Sequence, residues 1–335
     1  MTAALPVLAG VVAALLALGL AAWATRGRLA GLGTAGLCAL VGVLALAALV
    51  TGGRAVLALP IGLPGFGMTL ALDPLAAFFL LPVCIAGVAA GLAATGDPAS
   101  SAPMLPVFVA GMVLTLLAAD ALSLMLGFEL MSVACWALVL THHKEPATAP
   151  AAQLFAGMAV FGAACLLGAL AVLAAGPDLR FEAMRAVRPD GVRRGGAGAG
   201  PARRRVEGGG WRRCISGCRS RILPPPAHVS ALMSAAMTKV ALYVIIPRAV
   251  RPSAARPRRA GGGRRCSSWA PASAVLGGLR ANVQGDLKSV LAASTVEHIG
   301  FIAIGLGVSL AARGTDLAPL ASLALGGAIA ARAEP

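Results

Sequence analysis

Three ionisable side chains stand where the sequence gives them little polar company. Glu129 lies in the run LSLMLGFELMSVACWALVL and Lys239 in VSALMSAAMTKVALYVII. His298, beside Glu297, lies in SVLAASTVEHIGFIAIGLG. Each run is of membrane-spanning length, and a charge at mid-membrane costs roughly 2.5–3.5 kcal/mol on insertion scales. One such residue alone is compatible with a tolerated, water-solvated or snorkelling group. Three, on three separate segments, point to groups that face one another or a water-filled cavity, the arrangement that ion and proton pathways need. The chemistry follows from desolvation. An apolar surround penalises the charged form of a carboxyl and of an amine alike, and an approaching opposite charge restores it. A carboxyl and an amine so placed form a switchable proton relay that needs no cofactor.

The neighbours of these residues fit an inward-facing arrangement. Ser132 follows Glu129 by three residues and shares its face. Ala231, Ala235, Lys239 and Tyr243 recur at four-residue spacing, and Ser294 pairs with His298 at i, i+4. Small residues on such a face let helices approach closely, although an Ala-rich chain shows the same spacing by composition alone. The seven cysteines add no metal chemistry. Cys38, Cys84, Cys135 and Cys165 sit singly in apolar runs, where cysteine acts as a small hydrophobe. Cys214 and Cys218 are spaced C-x-x-x-C, Cys266 is distant, and no histidine pair accompanies them, which is not a zinc spacing. The glycine cluster GGAGAG at 195–200 has no strand before it and no helix after it, as a dinucleotide-binding turn would need. No metal and no cofactor are expected.

The elements that must position these side chains are membrane helices. Of 335 residues, 58% are hydrophobic and 12% charged, with a mean hydropathy of +0.84. A soluble domain carries about 25% charged residues, so a soluble enzyme is excluded, and the apolar content excludes disorder. The expected fold is an all-α polytopic helical membrane protein. Spans are predicted at Ala4–Ala24, Ala30–Val50, Pro74–Thr95, Met104–Ala119, Ala121–Thr141, Ala151–Ala175, Val229–Ile246 and Ser289–Ala311, about eight in all. Leu317–Ala331 is a partial one. The first run lacks a basic leader and reads as a helix rather than a cleaved signal. Arg26 and Arg28 place the first turn inside. Residues 51–73 then read as a Gly/Pro-rich external loop, and Asp120 as a tight junction between two spans.

The formal charge of +15 is concentrated. Residues 185–270 hold 18 of the 25 arginines and Lys239, against only Asp190 and Glu207, while the rest of the chain is close to neutral. The sequence divides into transmembrane helices over 1–184, an Arg/Gly/Pro-rich segment over 185–226, a helix with a central lysine over 227–246, a second Arg-rich segment over 247–270, and further helices over 271–335. Neither basic segment has helical or strand periodicity. An arm of this kind can bind anionic lipid or nucleic acid through arginine. Out-of-frame translation of GC-rich DNA yields the same Arg, Ala, Gly and Pro. That origin is the expected one, with no nucleic acid among the expected partners.

The segments FELMSVACWALVLTHH, HVSALMSAAMTKVALYVII and QGDLKSVLAASTVEHIGFIAIGLG together resemble the antiporter-like, proton-conducting membrane subunits. That family spans the large membrane subunits of respiratory complex I, the Mrp sodium/proton antiporters and the membrane-bound hydrogenases. The nearest in likeness is the hydrogenase 4 branch, whose large membrane component is also known as formate hydrogenlyase subunit 3. The resemblance runs over about 120 to 311, and the first 100 residues match only as hydrophobic spans. It implies that Glu129 is the fifth-helix carboxylate that faces a lysine. It implies that Lys239, in T-K-x-x-x-Y, and His298, in S-x-x-x-H-x-G, lie on a central hydrophilic axis. Lys288 matches a loop lysine in D-L-K, where a snorkelling interfacial role fits equally. Glu297, Ser132, Tyr243 and Lys288 are the accessory candidates.

The departures from the pattern fall in the basic segments. The family has a seventh helix carrying the lysine partner of the glutamate, then a segment P-L-H-x-W-L-P-x-A-H, where this chain has Gly208–Pro226. It continues to about fourteen helices, whereas this chain ends near the eleventh. Written in GC-rich codons and read two nucleotides on, Trp211–Ile222 becomes Ala-Pro-Leu-His-Leu-Trp-Leu-Pro-Leu-Ala-His, the missing segment. The resemblance implies a proton-translocating subunit of a hydrogenase-4/formate hydrogenlyase or complex-I-like oxidoreductase. The redox centres would belong to peripheral hydrogenase or NADH-dehydrogenase-like subunits, with other membrane subunits alongside, in a bacterial inner membrane. A free-standing cation/proton antiporter and a non-functional truncated product are the alternatives. The chain as written is expected not to conduct protons coupled to redox chemistry.

Overall fold

The structure is a computed structural model and describes residues 4–23, 28–63, 66–96, 103–141, 148–173, 179–186, 227–241, 243–244, 261–285 and 287–312. The loop 142–147, the basic stretches 187–226 and 245–260, and the apolar run Leu317–Ala331 lie outside them. All eight predicted runs hold helix. In chain order the elements are α1 (Ala4–Ala22), α2 (Arg28–Thr51), β1 (Ala55–Leu63), β2 (Phe66–Leu72), α3 (Pro74–Ala94), α4 (Met104–Leu117), α5 (Ala121–Leu140), α6 (Thr148–Leu173) and α7 (Phe181–Ala186). Next comes α8, which opens over Ala227–Leu232, passes through a π-helical turn at Met233–Met237 and has further helical residues at 238–241 and 243–244, followed by α9 (Gly261–Asn282) and α10 (Leu287–Ala312). Among the described residues five helices are long and apolar enough to cross a membrane. The chain divides into two compact units, one holding α1 to α8 and the other α9 and α10.

In the first unit α4 is the central helix. It is only 14 residues long, and every residue from Leu105 to Leu117 is buried or nearly so. A helix apolar on all sides belongs in the core, and α1, α2, α3 and α5 pack against it. Lipid tails give no hydrophobic drive for helix association, so close backbone approach between small residues does the work. A Cβ on Gly31 of α2 would stand 2.6 Å from the Gly91 carbonyl oxygen of α3. On α5, a Cβ on Gly127 would stand 2.7 Å from both the nitrogen and Oγ1 of Thr115 in α4. Gly127→Val is therefore expected to destabilise the bundle by about 1–3 kcal/mol, the usual range for overpacking. Thermal unfolding in detergent checks this, and an unchanged midpoint would show that α4 and α5 do not depend on the contact. Cys38, Cys84 and Cys135 are buried free thiols in these interfaces.

The external loop read at 51–73 is a correction. It is an antiparallel hairpin, with Ala55 opposite Leu72, Leu57 opposite Leu70 and Leu63 opposite Phe66. Pro60 falls at an irregularity in the pairing between Leu59 and Gly62, the kind of place where a residue without an N–H is tolerated in a ladder. Ala55, Leu70 and Leu72 are buried while Val56 and Ile61 are exposed, so the hairpin lays one face on the bundle. Asp73 then caps α3 by accepting from the Ala76 nitrogen at 2.7 Å, with Pro74 in the first turn.

The hairpin, the α4–α5 turn and residues 179–181 are bonded together. Ala119 donates to the Thr69 carbonyl at 2.9 Å and Phe181 donates to the Ala119 carbonyl at 3.1 Å. Three connections separated by whole membrane passes thus sit at one end of the bundle, as alternating spans require. An ion pair between Arg54 and Glu182 ties the start of the hairpin to α7 at the same end.

In the second unit α9 and α10 run antiparallel. Cβ atoms on Gly277 and Gly300 would each stand 2.6 Å from a backbone nitrogen of the opposing helix, those of Glu297 and Ala274. Helix α9 begins at Gly261, inside the stretch 247–270 whose sequence shows no periodicity. Once the pair is packed from Ala270 onward, extending the helix backward costs no new nucleus.

Candidate functional site

Glu129 sits half-buried on α5, on the face that α4 leaves uncovered. Leu126, Val133 and Trp136 share that face and are exposed. Ser132 lies on the other side. It is buried, and its hydroxyl donates to the Phe128 carbonyl at 2.7 Å, within its own helix. The carboxylate is therefore set in an apolar stripe, while the serine faces the core. The main packing partners of α5 are α4 and α6.

Lys239 is half-buried on α8, two residues past the π turn. This helix packs on α3. Buried Tyr243 continues the row begun by Lys239 and meets Phe79 of α3, with ring centroids 5.1 Å apart. In an α-helix each four-residue step drifts by about 40°. A π turn is wider and returns part of that drift, which keeps Ala231, Ala235 and Lys239 nearer one line. Such turns are frequent at functional sites. Glu129 and Lys239 thus sit on helices whose main packing partners differ.

In the second unit the i, i+4 pair is formed. Nδ1 of His298 lies 2.7 Å from the Ser294 carbonyl oxygen and 3.3 Å from Ser294 Oγ. A carbonyl only accepts, so Nδ1 carries the hydrogen and Nε2 is left as the nitrogen that takes up or gives away a proton. His298 is exposed within its unit, while neighbouring Glu297 is half-buried. The Glu297 carboxylate lies over Gly278 of α9, where a Cβ would stand 3.2 Å from its Cδ. Adjacent in sequence, the two side chains serve different faces. Lys288 falls in the first turn of α10.

Sequence reasoning passes over Asp120 as a functional residue. It is 2% exposed and accepts from Thr69 N, Ser123 N and Ser123 Oγ. The pattern D-x-x-S at a helix start marks the cap, but nothing in it marks the bond to the hairpin. Among the described residues no cluster of His, Cys, Asp and Glu is placed to hold a metal.

Residues 223–323 match the family described as NADH:quinone oxidoreductase/Mrp antiporter, TM. An uncharacterized protein of Mycobacterium tuberculosis is 34% identical over 205 residues, covering 59% of this chain and 30% of that protein. Hydrogenase-4 component B of Escherichia coli is 36% identical over 85 residues, 25% of this chain and 13% of that one. The chain therefore spans at most about a third of the curated relatives it matches. Among solved structures, the Mrp complex from Dietzia sp. DQ12-45-1b aligns with a TM-score of 0.75 and 21% identity, over 97% of this chain and 36% of that chain. The membrane-bound sulfane sulfur reductase, an archaeal respiratory membrane complex, aligns with a TM-score of 0.72 and 19% identity, over 96% and 54%. These two show the fold, that of a multi-pass membrane protein, and residues 223–323 are the segment that is similar to the NADH:quinone oxidoreductase/Mrp antiporter family.

Proposed function

We propose that this chain descends from a proton-translocating membrane subunit of a hydrogenase-4/formate hydrogenlyase or complex-I-like oxidoreductase, seated in a bacterial cell membrane. Glu129, Lys239 and His298 form its relay, with Lys288, Glu297, Ser132 and Tyr243 as accessories. The observation that carries the reading is Glu129 on the apolar outward stripe of α5. A carboxylate in a membrane span is costly unless it faces protein or water, and in such a surround it exchanges protons with a basic group set beside it. Peripheral hydrogenase or NADH-dehydrogenase-like subunits would supply the electrons. The basic segments 185–226 and 247–270 remain, in this reading, out-of-frame sequence, and the chain as written is defective.

A second reading is a subunit of a cation/proton antiporter, favoured by the likeness to the Mrp complex. The test uses inside-out vesicles from cells expressing the genomic gene with its neighbouring subunits, and follows a pH-sensitive dye. Glu129→Gln is expected to lower the initial rate of acidification by about 10²-fold or more, the scale of a lost acid–base group. Wild-type rates in that variant would remove Glu129 from the path. Acidification driven by an electron donor supports the oxidoreductase reading, and sodium-driven proton movement without a donor supports the antiporter.

A further inference from the structure

Asp120 does more than cap a helix. A cap needs one side-chain bond to the first turn, which Ser123 N supplies to Oδ1 at 2.7 Å. The second oxygen, Oδ2, accepts from Ser123 Oγ at 2.6 Å and from Thr69 N of the hairpin at 2.6 Å. The backbone on either side is held as well. Ala119 donates to Thr69 O on one side, and on the other Ala121 donates to Leu179 O at 3.0 Å while Phe181 donates to Ala119 O. Residues 119–121 are therefore the middle segment of three, with β2 and 179–181 as neighbours. A carboxylate at 2% exposure with these bonds is costly to disturb.

Glu129 lies nine residues further on the same helix. At 1.5 Å per residue that is about 14 Å along the axis, and at 3.6 residues per turn it is the opposite face. No proline interrupts α5 between them. Where the helix begins thus sets both the depth and the azimuth of the carboxylate. We infer that Asp120 is a positioning residue for Glu129, locking the start of α5 to the hairpin and to residues 179–181. The seam between α4 and α5 is not itself a proton route from Asp120. Thr115 Oγ1 donates back to Gly111 O at 2.7 Å, and Gly127 is pressed against Thr115.

The functional consequence rests on Glu129 being part of the relay, but the geometry is measurable without that reading. Asp120→Asn keeps an acceptor for Ser123 and is as good a cap, yet its amide cannot serve both Ser123 and Thr69 N. Asp120→Ser keeps the cap and falls short of the hairpin. In membranes holding the full chain, the rate at which a hydrophobic carbodiimide modifies Glu129 is followed by peptide mass spectrometry. Both variants are expected to change that rate by about tenfold, the order that ångström-scale misplacement imposes on a positioned group. In the corrected gene with its neighbouring subunits they are also expected to shift the pH of half-maximal proton transport, with the amount of folded protein unchanged. Glu129 modified at the wild-type rate in both, with only Asp120→Ala losing folded protein, would overturn the inference and leave Asp120 a plain cap. A changed labelling rate with normal transport in Glu129→Gln would keep the positioning role and reject the relay.

Discussion

In the frame-corrected gene, expressed with its neighbouring subunits, Lys239→Met abolishes proton translocation and leaves the protein folded in the membrane: that is the expected result in acidification assays on vesicles. Methionine matches lysine in length and helix propensity and removes an ammonium from a half-buried site two residues past the π turn of α8. The packing of that helix on α3 includes Tyr243 against Phe79, which the substitution leaves in place. Losing an acid–base group costs about 10²–10⁴-fold, so transport should fall to the leak of empty vesicles. Lys239→Arg separates a relay from a fixed charge. Arginine stays protonated at any working pH and so keeps the positive field but cannot release a proton. Transport equal to wild type in the arginine variant would show that Lys239 acts only as a charge, and transport in the methionine variant would remove it from the path.

The second large effect concerns the basic stretches. Sequencing genomic DNA across the codons for 185–275 is expected to reveal small insertions or deletions. Their correction should replace the arginines by an apolar helix followed by the P-L-H-x-W-L-P-x-A-H segment. The physical argument is insertion energy: each arginine at mid-membrane costs roughly 2.5–3.5 kcal/mol, and 18 of them lie within 185–270. The family match begins at residue 223, in the last residues of the first basic stretch. A corrected chain should acidify vesicles, while the chain as given should not. DNA that confirms the sequence as given would withdraw the transport reading for this chain.

The helices were legible because a span has to be apolar along its whole length, and that shows in any window. Polar groups inside such a window are equally visible, which is how Glu129, Lys239 and His298 stood out. The hairpin was not legible, because both its strands are as apolar as a helix and its glycines and prolines imitate a loop. The weak signal was two short apolar runs on either side of Pro64 and Gly65. Asp120 read as a junction because its partner Thr69 is 51 residues away, and no local pattern encodes that bond. The start of α9 was hidden for a related reason, since residues 261–270 owe their helix to the packed pair beyond them. The π turn in MSAAM has no composition of its own.

The backbone contact of Gly127 with Thr115 carries one more implication. Any membrane that stores energy as a proton gradient is short-circuited by a thread of water. Between α4 and α5 Gly127 lies directly against Thr115, and the hydroxyls of Thr115 and Ser132 donate to carbonyls of their own helices. In the relay proposed above, a contact this close would leave no room there for such a thread, and the traffic would fall to the outward side of α5, where Glu129 stands.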